Sequence, residues 1–196
     1  MSYKLKFNAP IVLIVTSLCV IFFLVDYALK GQLQPWMALA PSWEVSNIPR
    51  MFSYVLMHGS FAHLLGNLSI FLLIGPILEE KYGSWMYLAM CVLTAVITAV
   101  LNVLFTNTFL IGLSGIVFMN IVLVSFTNVQ YREIPVTFIL VLLLFVGQEV
   151  FRSFEEDNIS QFAHILGGLL GSIFGFALLR RAKAKPVEQE ELDGQG

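Results

Sequence analysis

A serine between glycines, Gly112-Leu113-Ser114-Gly115, is the first group of residues whose types could do chemistry. The glycines carry no side chain, so other backbone, whether a packed helix or a substrate chain, can approach the serine closely. A small-residue helix contact is the plainer reading of the same four residues. His164 lies in Ala163-His164-Ile165-Leu166-Gly167-Gly168-Leu169-Leu170-Gly171. Gly167 and Gly171 are four apart and give one helix face bare backbone, and His164, three residues before Gly167, borders that face. From there a histidine can reach a serine on the neighbouring helix; the alternative is a structural histidine bonded to a carbonyl. His58, His63 and Asn67 form H-x4-H-x3-N. His63 and Asn67, at i and i+4, share a helix face, and both can donate hydrogen bonds. Two such donors near a serine at a helix N-terminus suit a developing oxyanion. Metal binding by the three histidines is weaker, because no acidic or cysteine partner stands at helical spacing. Residue 116 is Ile, so this is not the G-x-S-x-G elbow of soluble hydrolases.

The elements that position these residues must cross a lipid bilayer. The chain is 58% hydrophobic and 12% charged, with a mean hydropathy of +0.82. A soluble domain is about 45–50% apolar and about 25% charged, so the surplus here faces lipid. The net charge of −2 offers nothing to a nucleic acid. Cys19 and Cys91 lie in apolar runs without C-x-x-C spacing, which points to small apolar packing and to no metal. Six stretches have the length and composition of spans: residues 9–29, 61–78, 84–105, 112–126, 134–150 and 161–179. The first is longer than the apolar core of a signal peptide and no cleavage site follows it. Residues 31–58, with Trp36, Trp43 and three prolines, read as an outer loop lying partly in the interface.

Lysine and arginine orient these spans. With residues 1–8 in the cytoplasm, Lys4, Lys6, Lys81, Arg132, Arg180, Arg181, Lys183 and Lys185 are inside, and only Lys30, Arg50 and Arg152 are outside. Both termini are then cytoplasmic, and residues 181–196 read as a disordered tail, basic and then acidic. The second, fourth and sixth spans all run inward, so His63, Asn67, Ser114 and His164 share the outer leaflet. The fourth span is 15 residues, roughly 22 Å at about 1.5 Å per residue, against a hydrocarbon core of about 30 Å. It must begin below the surface, at the floor of a wet, protein-walled indentation. Glu79, Glu80 and Lys81 end the second span and read as structural anchors. Asp26, Glu149 and Asp157 lie near the outer interface without catalytic spacing.

Taken together, these residues resemble the rhomboid intramembrane proteases in their six-span bacterial form. The matching pieces are His58, His63 and Asn67; Gly75-x3-Glu79-x3-Gly83-Ser84; Gly112-x-Ser114-Gly115; and Ala163-His164-x2-Gly167-x3-Gly171. The resemblance implies an all-α bundle over residues 9–180 in a bacterial cell membrane, its site opening to the outer face. It implies a serine endopeptidase without cofactor. Ser114 would be the nucleophile, His164 the general base, and His63 and Asn67, with the Ser114 N–H, the oxyanion hole. His58, Gly112, Gly115 and Phe118 would support the site, and Gly167 and Gly171 would pack helices. The partners would be transmembrane protein substrates and the bilayer, with the fifth span as a lateral gate and residues 152–160 as a lid. The chain departs from the family pattern at Phe118, where a tyrosine often stands, and at Pro49-Arg50, in place of Trp-Arg. A catalytically silent rhomboid-fold protein that binds membrane clients is the alternative, and such proteins usually lack the serine or the histidine. A small transporter would need charges in mid-span and an inverted repeat, and the charges here sit at span ends.

Overall fold

The first helix, α1 (Pro10–Ala28), opens with proline at its first position, where the missing N–H costs nothing. It has no side-chain cap of its own. Its exposed first-turn amides are answered from another helix: the Glu79 carboxylate accepts from Ile11 N at 3.0 Å and Val12 N at 2.9 Å. Glu79 is buried there, and Asn8 Nδ2 donates to Glu80 beside it. The glutamates expected to anchor a helix end do so, and the end they anchor belongs to α1 as well as to their own helix. At the other end of α1, Lys30 and Gly31 turn the chain with positive φ (54° and 82°). The Asp26 carboxylate then accepts from Leu33 N and Gln34 N, capping the short helix α2 (Gln34–Met37).

The computed structural model describes residues 7–127, 136, 139–140, 143–144 and 161–193. Within them the named elements are all helices, and the β contact is one isolated bridge, Leu39 to Leu110. The expected interfacial loop 31–58 holds α2, a 3-10 turn at Val45–Asn47, α3 (Arg50–Ser53) and a second 3-10 turn at Tyr54–Leu56. Trp36, Trp43, Val45, Ile48 and Phe52 are exposed along it, as suits a segment at a lipid boundary. Then come α4 (Phe61–Tyr82), α5 (Ser84–Phe105), α6 (Ser114–Val124) and α7 (Gln161–Asp193). Gly83, at φ 82°, both ends α4 and begins α5. Among the described residues, four helices are long and apolar enough to cross a membrane: Pro10–Ala28, Phe61–Tyr82, Ser84–Phe105 and Gln161–Leu179. The expected fifth span, 134–150, falls almost wholly outside the described residues, as do residues 152–160. The described helix α7 runs on to Asp193 and so takes in residues 181–193. Alanine, lysine, glutamine and glutamate, all good helix formers, dominate that stretch.

Helix α6 is the centre of the bundle. Its 11 residues span roughly 16 Å, shorter than the 15-residue span the sequence suggests. Gly115, Ile116, Val117, Met119, Asn120, Val122 and Leu123 are all buried, and Ser114, Phe118, Ile121 and Val124 form one half-buried stripe. Against α6 lies α7, at backbone distance. A Cβ added to Gly167 would overlap the Gly115 carbonyl oxygen, and one at Gly171 would come within 2.5 Å of the Met119 oxygen. Gly175, one turn further, faces the Phe126 ring in the same way and was not expected. Lipid supplies no hydrophobic drive between helices, so association depends on close packing of this kind.

Gly167→Ala should therefore cost about 1–3 kcal/mol by overpacking, read as lower resistance to denaturant in detergent. Gly66, on α4, has open space around it, and Gly66→Ala should leave stability unchanged or raise it by about 0.5–1 kcal/mol. Equal effects at the two positions would remove the glycine contact as the basis of the packing.

Candidate active site

The backbone places Ser114 at the first position of α6, after Gly112 and Leu113. Gly112 has φ 110°, a conformation open to glycine and strained for other residues. Its amide donates to the Tyr54 carbonyl at 2.9 Å. Leu39 and Leu110 exchange two backbone hydrogen bonds of 3.0 Å, and Asn102 Nδ2 donates to Thr108 O at 2.9 Å. The segment leading into Ser114 is thus pinned to the interfacial loop and to α5. Asn47 fastens that loop in turn, bonding to Ala40 N, Ala40 O and Ser42 O. Tyr54, Asn47 and Asn102 carry this scaffold, and sequence reasoning missed them. The available signal was an asparagine inside an otherwise apolar helix.

His63 comes from the first turn of α4, where the Ser60 side chain caps the helix by accepting from His63 N at 3.1 Å. Its ring lies over Gly112: a Cβ built there would be 2.8 Å from His63 Cε1 and Nε2. One turn along, buried Asn67 donates one N–H to the His63 carbonyl at 3.0 Å and keeps a second N–H. His58 meets His63 edge-on, with ring centroids 5.0 Å apart. From α7, buried His164 stacks on Phe118, with centroids 4.3 Å apart and planes at 19°. Phe118 is four residues after Ser114 and so lies on the same side of α6. Next to His164, the Ala163 carbonyl faces Gly115, 3.4 Å from where a Cβ would be. His63 and His164 are close enough to interact electrostatically. The N-terminal turns of α4, α6 and α7 therefore meet, and they gather Ser114, His63, Asn67, His164 and Phe118. Among the described residues, no three His, Cys, Asp or Glu side chains converge as ligands of one metal ion. Arg50 only opens α3, after Pro49. Cys19 and Cys91 are buried free thiols.

This arrangement puts a hydroxyl at the N-terminus of a short helix against which the apolar helices α4, α5 and α7 pack, with imidazoles held by packing on α4 and α7. A profile of the rhomboid domain matches residues 45–181. The chain belongs to the rhomboid family. Among its relatives, the Rhomboid protease GlpG of Haemophilus influenzae is 29% identical over 174 residues, covering 86% of this chain and 91% of that protein. Rhomboid-related protein 1 of Caenorhabditis elegans is 31% identical over 152 residues, 71% of this chain but only 42% of the worm protein. The Rhomboid protease GlpG of an Enterobacter species is 24% identical over 183 residues, covering 86% of this chain and 63% of its own length. With its apolar helices, this rhomboid protein is an integral membrane protein.

His58 lies just before α4, and burial pushes its imidazole down to about 4, with His63 adding to the shift and the Leu56 carbonyl opposing it. A histidine lowered on folding takes its proton more readily in the unfolded chain. Its contribution to stability is then full above about pH 6.5, the unfolded value, and falls as the pH drops from there towards about 4. His58→Phe should flatten that part of the stability profile relative to the unmodified chain. Superimposable acid profiles would show that His58 does not carry the effect.

Proposed function

We propose that this rhomboid protein is an intramembrane serine endopeptidase that cuts transmembrane proteins in or near their membrane segments. Ser114 Oγ attacks the scissile carbonyl carbon, and His164 takes the hydroxyl proton. The carbonyl oxygen becomes an oxyanion. His63 and the second N–H of Asn67 donate to it, with the Ser114 N–H, which at the first position of α6 has no partner within the helix. Collapse of the tetrahedral species breaks the C–N bond, and His164 returns the proton to the leaving amine. Water then attacks the acyl-Ser114 ester with His164 again as base, which releases the acid and restores the serine. The observation that carries this reading is the stack of His164 on Phe118, one turn from Ser114, with the Gly115–Gly167 backbone contact beside it. Phenylalanine keeps the aromatic face that a tyrosine would offer here, so the missing hydroxyl does not remove the support of the ring.

The same reading gives six spans with cytoplasmic ends, on the charge bias of the whole chain. The site then opens outward in a cell membrane, bacterial as in the GlpG relatives. The shortness of α6 supports a site below the surface, where water arrives from one side while substrate enters from lipid. Substrates would be membrane helices with small residues and weak local helicity at the cut, since the scissile bond must unfold to reach Ser114.

Purified protein should cleave a transmembrane model substrate, and Ser114→Ala should abolish cleavage with the fold intact. A Ser114→Ala form that still cuts would end the proposal. Asn67→Ala should lower turnover by about 10²–10³-fold, the cost of one oxyanion donor, with little change in unfolding. At residue 118, Phe118→Tyr should retain activity, while Phe118→Ala should lower turnover by about 10²-fold through loss of ring positioning. Full activity of Phe118→Ala would separate the stack from the chemistry.

A further inference from the structure

Outside the candidate site, one ring away from His63, the surface is indented. Between the end of α1 and the start of α4 is an open groove of about 800 Å³, lined among others by Phe23, Asp26, Tyr27, Lys30, His58 and Phe61. Three features of it attract an anion. Lys30 stands at its rim, exposed, in the turn that closes α1. The first amide of α4, at the lining residue Phe61, has no carbonyl within the helix, while His63 N is already taken by Ser60. His58 lines the wall at 2% exposure, and neither ring nitrogen makes a hydrogen bond of normal geometry, with only a weak approach to the Leu56 carbonyl. Buried ring nitrogens without a well-formed hydrogen bond are polar groups that an occupant reaching this wall would satisfy.

A simple anion does not account for the remainder of the lining. Asp26 also faces the groove, and its Oδ1 is occupied by Leu33 N and Gln34 N. The carboxylate charge and its second oxygen remain for a cation. Lys30 and Asp26 are of opposite sign, so the groove is close to neutral and dipolar. Its wall is aromatic: Phe23 and Phe61 are 6.4 Å apart, and Tyr27 and Phe61 are mostly exposed. Aromatic rings of this kind favour the depth where lipid headgroups meet acyl chains, and their faces attract ammonium.

We propose that the groove binds the headgroup of a zwitterionic glycerophospholipid. Its phosphate lies on Lys30, His58 and the α4 N-terminus, its primary ammonium on Asp26, and its acyl chains along Phe23 and Phe61. The proposal does not depend on proteolysis and is tested by binding. The full chain, purified in detergent, is titrated with dioleoyl phosphatidylethanolamine, phosphatidylcholine or phosphatidylglycerol, and retained lipid is counted by native mass spectrometry. Phosphatidylethanolamine should bind at one saturable site, about tenfold more tightly than phosphatidylcholine, whose quaternary ammonium cannot donate to Asp26. Lys30→Glu, at an exposed position, should weaken it by about tenfold or more. His58→Phe should also weaken it, with the helical circular dichroism signal and thermal transition retained. Equal binding of phosphatidylethanolamine and phosphatidylcholine, or retention unchanged by Lys30→Glu, would overturn the site. Phosphatidylglycerol bound as tightly, with the same dependence on Lys30, would overturn the zwitterionic assignment.

Discussion

Two backbones meet without side chains between them at Gly115 and Gly167, and the geometry of the candidate site depends on that contact. A methyl group at Gly167 would occupy the space of the Gly115 carbonyl. In a bilayer, side-chain burial gives little drive between helices, since lipid is as apolar as leucine, so close backbone approach supplies much of the association. His164 precedes Gly167 by three residues on α7, and Ser114 precedes Gly115 by one on α6. Their relative position is thus set by the tightest of the described glycine contacts. The Phe118 ring holds His164 from the other side.

Polar side chains in this protein largely replace local capping with tertiary capping. Glu79 serves α1 from α4, Asp26 serves α2 from the end of α1, and Asn102 reaches from α5 to the segment before Ser114. Each closes backbone amides or carbonyls that water would satisfy in a soluble protein and that lipid cannot. Irregular backbone at residues 106–113 is tolerated because its groups are bonded to Leu39, Tyr54 and Asn102. That pinning leaves Ser114 at the start of a helix, where its N–H is free of the helix's own carbonyls.

The histidines show how one residue type takes three settings by position. His164 is held by stacking, His63 lies over a glycine that admits it, and His58 sits buried and edge-on to His63 at the wall of the outer groove. The shared His58 links the proposed lipid groove to the candidate site through one ring contact.

Much of this was legible in residue order. Long apolar runs became α1, α4, α5 and the membrane part of α7, with ends close to those expected, because span length and hydropathy are local properties. Gly167 and Gly171 marked the packing face of α7 because a four-residue period survives in any helix. Other features could not be read locally. That Glu79 closes α1, that Asn102 and Tyr54 hold the segment before Ser114, and that most of α6 is buried depend on which helices become neighbours. The sequence by itself determined a membrane-spanning helical chain with its reactive residue types at helix starts. Only the tertiary structure decided which faces meet and which backbone groups each polar side chain closes, because those depend on distances between segments far apart in the chain.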